Sequence, residues 1–200
     1  QVDVGSVFDR VTEVLVELDY ATDDPAHRDN LALTADGRRL ARIYGERDLL
    51  TAQCLRLGYW EGLEPASLAA MATCLVFEPR REENPDAANR MPTSRLRDAW
   101  ERTTDEWARL DDRERDHKLP GSGPLSPSLA PAMYRWARGG ALDHVLRDAD
   151  MAAGDFVRWT KQTIDLLDQL SVVADGEVGR SARAAIDAIR RGIVAYSAVA

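Results

Sequence analysis

Cysteine and histidine are scarce in this 200-residue chain, two of the first and three of the second, and that scarcity removes whole classes of chemistry. Cys54 and Cys74 stand apart in apolar, helix-spaced surroundings, while His27, His117 and His144 are scattered. None of them has the short ligand spacing of a zinc site, so no metal ligand is assigned. The expectation is two buried, reduced thiols and a cytoplasmic compartment. Long apolar runs are missing too. No stretch approaches the roughly 20 residues of a membrane span, and the start lacks the basic-then-apolar order of a signal peptide, so no membrane partner is expected. The chain begins with Gln1, which reads as a piece of something longer.

Catalytic signatures are equally absent. There is no Gly-x-x-x-x-Gly-Lys-Ser/Thr phosphate loop, no Gly-x-Ser-x-Gly elbow and no His-Glu-x-x-His pair. The 34 acidic residues single out no general acid/base pair. No catalytic residue and no cofactor is therefore assigned to this segment, and whether it serves an enzyme depends on what lies beyond it. An excess of basic charge is lacking as well: the net charge is −8, which argues against a protein that coats nucleic acid electrostatically. The imbalance is uneven. Eight acids face only Arg10 and Arg28 over residues 1–30, whereas six acids meet six bases over residues 151–200, so the C-terminal part is the better place for a polyanion.

What the chain has in abundance is helical periodicity, and the fold class it predicts is mainly α, a multi-helix bundle. Val7, Val11, Val14, Leu15 and Leu18 mark a first helix; 31–34 reads as a short strand; Thr34 or Asp36 caps a helix with Leu40, Ile43 and Tyr44 inward. Helix, short strand and helix in this order read as the later part of a winged-helix domain, giving a partial winged-helix-like segment over 1–50. A helical bundle over 51–200 follows, with loops at 79–93 and 119–128. Gly58 stops one helix and Pro65 starts the next. Leu96, Trp100, Thr103, Trp107 and Leu110 form the seam of a long helix. Met133 and Trp136 lie on a short helix ended by Gly139 and Gly140. Two long helices close the chain, about 155–173 and about 179–199, the last with Ala182, Ile186, Ile189 and Ile193 inward.

The helix from Asp155 carries the strongest hint of a site. Its first two turns hold Arg158 and Lys161, where the helix dipole disfavours cations by a few tenths to about 1 kcal/mol each. An anion docked at that end, with Asp155 as cap and Gly154 allowing close approach, would offset this. Arg158, Trp159, Lys161 and Gln162 are the candidate RNA-binding residues, Trp159 as a stacking platform or as core. Arg38, Arg39 and Arg42 form a second basic edge, a solvated face or a contact to RNA or to a neighbouring domain.

An ordered series of segments resembles the C-terminal helical domain, DSHCT, of DExH-box superfamily 2 RNA helicases of the superkiller and exosome-associated type, particularly its actinobacterial branch. The matching pieces are Leu33-Thr34-Ala35-Asp36-Gly37-Arg38-Arg39-Leu40-Ala41-Arg42-Ile43-Tyr44-Gly45-Glu46-Arg47-Asp48-Leu49-Leu50 and Gly58-Tyr59-Trp60-Glu61-Gly62-Leu63. Leu68-Ala69-Ala70, Val76-Phe77-Glu78-Pro79-Arg80, Trp136-Ala137-Arg138-Gly139, Gly154-Asp155-Phe156-Val157-Arg158 and Arg190-Arg191-Gly192-Ile193-Val194 follow in order. The resemblance implies RecA-like motor lobes upstream in the same chain, which use ATP and Mg. It implies a bundle that packs on them and guides the single-stranded RNA leaving them, with an RNA-degrading complex as a further partner. Arg158 matches the family's recurrent arginine; Trp159, Lys161 and Gln162 occupy neighbouring positions. The alternative from another class is a helical protein–protein interaction module with no nucleic-acid role, docking through the Trp100–Leu110 helix or the 79–92 loop.

Overall fold

The computed structural model describes residues 4–22, 32–40 and 47–196. Among them the elements follow in the order α1 (Val4–Glu17), β1 (Ala21–Thr22), β2 (Ala32–Leu33), α2 (Ala35–Leu40), α3 (Asp48–Arg56), α4 (Pro65–Val76), α5 (Ser94–Asp116), α6 (Ala130–Ala137), α7 (Leu142–Ala149), α8 (Ala153–Val173), α9 (Glu177–Ile189) and α10 (Gly192–Tyr196), with a 3-10 turn over Ala87–Arg90. The fold is mainly α. Two compact units emerge: Gln1–Leu57 with Thr103–Pro124, and Gly58–Arg102 with Leu125–Ala200.

In the first unit, Asp19 takes a left-handed conformation that ends α1, and β1 pairs antiparallel with β2, Ala21 opposite Leu33. Thr34 caps α2, its Oγ1 accepting the Gly37 N–H at 3.0 Å, as the sequence suggested. Leu40 lies at the end of α2, while Ile43 and Tyr44 lie outside the described residues. Arg56 ties the elements together. It pairs with Asp36 at 3.1 Å, donates to the carbonyls of Leu18 and Asp19 and lies 4.0 Å over the Tyr20 ring. Beneath it runs a buried polar chain. The Tyr20 hydroxyl donates to Gln53 Oε1 (2.6 Å), Gln53 Nε2 donates to Glu106 Oε1 (3.1 Å), and Arg109 holds the other Glu106 oxygen at 2.7 Å. Cys54 is fully buried beside Thr103, and burial pushes its thiol up to about 12, so it is an inert thiol.

His117, just past α5, sits between two carboxylates of α1, Nδ1 at 2.8 Å from Glu13 and Nε2 at 3.0 Å from Glu17; Arg113 also reaches Glu17. Both neighbours are acceptors, so only the imidazolium satisfies both. The bond to Glu13, then that to Glu17, raises the His117 pKa above its ordinary value, with desolvation opposing. A raised folded-state pKa contributes stability that is fully present below the unfolded value of about 6.5 and is lost as pH climbs through the folded value. His117 is therefore expected to titrate above about 6.5 in an NMR pH series, and Glu13→Gln to bring the midpoint back down. A midpoint unmoved by Glu13→Gln would remove that carboxylate as the cause.

The second unit is built around α4. Every residue from Ala66 to Leu75 is buried, because a helix surrounded by partners needs small apolar residues on all faces. Pro65 occupies its first position and Glu64 caps it, accepting from the Ala66 and Ser67 N–H groups. Helices α6, α8 and α9 pack against it. Thr73 and Thr163 share a buried hydrogen bond of 3.0 Å, and the Ser181 hydroxyl donates to the Leu63 carbonyl at 2.8 Å. Along α8, Phe156, Thr160, Thr163, Leu167 and Leu170 face inward. The closing helix is not continuous to residue 199. It ends at Ile189, and α10 restarts at Gly192, whose φ of 52° is left-handed. Ile193, expected inside, is 38% exposed because the break rotates the following turn.

Candidate nucleic-acid interface

The start of α8 differs from its sequence reading. Asp150 ends α7 in a left-handed conformation, and extended Ala152 caps α8 with no side-chain bond. Asp155 is therefore not the cap but lies inside the first turn. Phe156 N–H bonds the Ala152 carbonyl at 3.1 Å, which leaves the N–H groups of Ala153, Gly154 and Asp155 ahead of the first intrahelical bond. A Cβ on Gly154 would meet nothing within 4 Å, so its surroundings are open.

Arg158 is exposed one turn further on. Its guanidinium lies 3.9 Å from Asp155 Oδ1 and 4.9 Å from the Trp159 ring centroid. Gln162, four residues along, shares this exposed face, and Lys161 is half-buried. Trp159 points the other way. It is 9% exposed and packs edge-on against Phe77, ring centroids 5.2 Å apart, so it is mostly core with one edge left over. Four-residue spacing puts Arg158 and Gln162 on one face, while Trp159 packs into the core with its ring still beside the Arg158 guanidinium. Arg38 and Arg39 fall on α2, where only the backbone is described, and Arg42 lies outside the described residues.

The remaining Trp159 edge borders an open cleft of about 910 Å³. Its walls are the loop after α4, the C-terminal end of α7 and the beginning of α8, and its apolar floor includes Phe77 and Pro131. Five arginines and six carboxylates line it, so it is close to neutral. Ion pairs cross its wall: Arg80 to Asp155 at 3.8 Å, Arg81 to Asp150 at 3.8 Å and Arg135 to Asp148 at 3.0 Å. All involve substantially exposed side chains, so each is worth about 0–1 kcal/mol. The loop is fixed instead by Glu83, which accepts hydrogen bonds from the Ser126 and Ser128 hydroxyls. In the sequence this stretch reads only as a loop over 79–93. The approach of Arg80 to Asp155, 75 positions apart, has no local signal.

No group of three or more His, Cys, Asp or Glu among the described residues is arranged to hold a metal ion. No described helix is long and apolar enough to cross a membrane.

Comparison with known proteins places these observations. The model of the DSHCT (NUC185) domain family matches residues 30–197. The chain is 41% identical over 208 residues to a protein named probable helicase HelY from Mycobacterium leprae (strain TN), an alignment covering 98% of this chain and 22% of that one. The HelY counterpart of Mycobacterium tuberculosis (strain ATCC 25618 / H37Rv) is likewise 41% identical, over 98% of this chain and 22% of its own length. The DExH-box ATP-dependent RNA helicase DExH10 of Arabidopsis thaliana is 25% identical over 79% of this chain and 16% of its own. The chain thus spans about a fifth of the length of the mycobacterial relatives it matches.

Proposed function

The chain belongs to the DSHCT (NUC185) domain family, and on that premise we propose that it is the C-terminal accessory domain of an ATP-dependent RNA helicase, packing on the motor lobes and guiding the single strand that leaves them. In this reading residues 1–50 are the later part of a winged-helix-like segment and 51–200 the bundle. ATP and Mg belong to motor lobes elsewhere in the full-length protein, which works in the cytoplasm and passes RNA to a degrading complex. This segment then contributes binding and direction, not chemistry.

The observation that carries the reading is the exposed Arg158 one turn into α8, beside backbone N–H groups that no side chain caps. Such a helix end attracts phosphate through its partial positive charge and its free donors. Gln162 extends the same face for a base or sugar, and Lys161 lies on the flank. The near-neutral cleft and the overall charge of −8 favour a second reading, a protein-docking module, over any broad electrostatic grip on nucleic acid. Under the first reading binding by this chain is weak and narrow, resting on a few contacts.

Fluorescence anisotropy with a labelled RNA oligomer at low salt tests it. The chain is expected to bind, with affinity falling as salt rises. Arg158→Glu is expected to weaken binding about tenfold or more, the equivalent of about 1.5 kcal/mol for one charge-assisted hydrogen bond. Indistinguishable titrations of two folded proteins would remove Arg158 from the interface and favour the docking module.

A further inference from the structure

One carboxylate oxygen, Asp155 Oδ1, has two guanidinium groups beside it, Arg80 Nη2 at 3.8 Å and Arg158 Nη2 at 3.9 Å. Neither distance is that of a made hydrogen bond, which would be about 2.7–2.9 Å for a charged pair. The donors are held near an anion without being consumed by it. The arginines come from different elements, Arg80 from the loop after α4 and Arg158 from α8, and their side chains are 76% and 51% exposed, so both are open to a ligand.

We propose that Arg80 and Arg158 form a two-arginine seat for one phosphate of a single-stranded polynucleotide, with Asp155 as the internal anion that holds the pair until phosphate displaces it. The inference rests on the RNA-guiding reading and adds to it a second contact residue, a positioning residue and an auto-inhibitory contact. Two guanidiniums that share one carboxylate oxygen leave a net charge of +1 in the triad. A phosphate group, with several acceptor oxygens, serves both forks at once. The aromatic pair makes the ligand a polymer and not a free anion. Phe77 precedes Arg80 by three positions, Trp159 follows Arg158, and their packed rings border the cleft, so a base adjoining the seated phosphate has an aromatic edge to rest on.

A structural role for the same triad, holding the loop on α8, predicts effects of opposite sign. If Asp155 competes with phosphate, Asp155→Asn tightens binding several-fold; if it merely holds the loop, the variant binds no better and melts earlier. The test is anisotropy on the whole 200-residue chain with a fluorescein-labelled oligouridine of about 12 nucleotides at about 50 mM salt, alongside melting curves. Arg80→Gln and Arg158→Gln are each expected to weaken binding several-fold. The double variant should lose less than the product of the two losses, because either change alone empties the shared seat. Its plot of log affinity against log salt should flatten by about 0.7, one phosphate contact on a single strand. A wild-type chain that does not bind overturns the RNA-guiding reading and this inference with it. Binding that depends on Arg158 but is indifferent to Arg80→Gln and not tightened by Asp155→Asn overturns the seat alone. Displacement of the oligomer by inorganic phosphate at matched ionic strength overturns the polymer assignment in favour of a free anion.

Discussion

Trp136→Ala is expected to destabilise the chain by about 3 to 5 kcal/mol, the range for truncating a large buried aromatic. For a chain of this size that lowers the melting temperature by roughly 6 to 20 °C. Trp136 is 2% exposed and joins several elements of the second unit. Its ring meets Phe156 of α8 edge-on at 5.6 Å, and its Nε1 donates to the Ile189 carbonyl at the end of α9 at 2.8 Å. The Arg191 guanidinium lies 3.5 Å over its face while donating to the carbonyls of Trp136 and Gly140. Truncation leaves a void between α6 and α8, takes one of two donors from the Ile189 carbonyl, which keeps the Arg191 N–H at 3.0 Å, and removes the surface on which Arg191 is packed. Arg191 keeps its backbone bonds, so the loss is in packing more than in charge. Trp136→Phe retains most of the bulk and gives up the N–H, and should cost about 0.5–1.5 kcal/mol, the net worth of one hydrogen bond, since the Ile189 carbonyl still accepts from the Arg191 N–H. Urea unfolding of the three proteins checks both figures. A Trp136→Ala loss under 1 kcal/mol would mean that this ring does not join α6, α8 and α9.

Much of this core is legible in the sequence, because it rests on local rules. Pro65 and Gly58 mark a helix start and stop through their own backbone preferences, and the Leu96, Trp100, Thr103, Leu110 seam and Leu167 follow from helical spacing; all five of these seam and core residues are buried. The failures have local causes too. Asp155 is a good cap former, but extended Ala152 starts the helix three positions earlier, since a cap is decided by where the chain enters and not by the best side chain nearby. Apolar spacing runs through Ile189 to Ile193 without interruption, yet left-handed Gly192 breaks the helix between them. Trp107, expected as core, is only half-buried and donates to Ser122 at 3.1 Å.

The candidate site is legible in part and for a different reason. Cations at a helix start mark Arg158, whose neighbours Asp155 and Trp159 are local, whereas Arg80, which shares Asp155, comes from 75 positions away. Arg80 enters only as a member of the resembling segment 76–80, and nothing in its neighbourhood announces that Asp155 will lie beside it. The pairing of residues 103–124 with residues 1–57 in one unit is of the same kind. Long-range approach of polar groups depends on the packed helices that carry them, and periodicity reports only the packed face.

That dependence makes the buried polar chain of the first unit the most sensitive place in it. Gln53→Leu is expected to cost about 2 to 6 kcal/mol, from two buried polar groups each losing a bond worth about 1–3 kcal/mol when left unmet. Gln53 links the Tyr20 hydroxyl, on a residue 1% exposed, to Glu106, 5% exposed. Leucine fills similar space but neither accepts from Tyr20 nor donates to Glu106. Arg109 still holds one Glu106 oxygen, but the carboxylate loses its inner partner, and the Tyr20 hydroxyl, on a residue 1% exposed, loses its acceptor. Burial already raises the Tyr20 pKa above its ordinary value, so ionisation offers the hydroxyl no escape. Tyr20→Phe with Gln53→Leu separates the contributions. Removing the hydroxyl as well should recover about 1–3 kcal/mol of the loss, leaving the part due to Glu106. Chemical denaturation of the wild type, the single variant and the pair gives these differences directly. A double variant no more stable than Gln53→Leu alone would mean that the Tyr20 hydroxyl finds another partner when Gln53 is gone, and that the polar chain from Tyr20 to α5 is not continuous through Gln53.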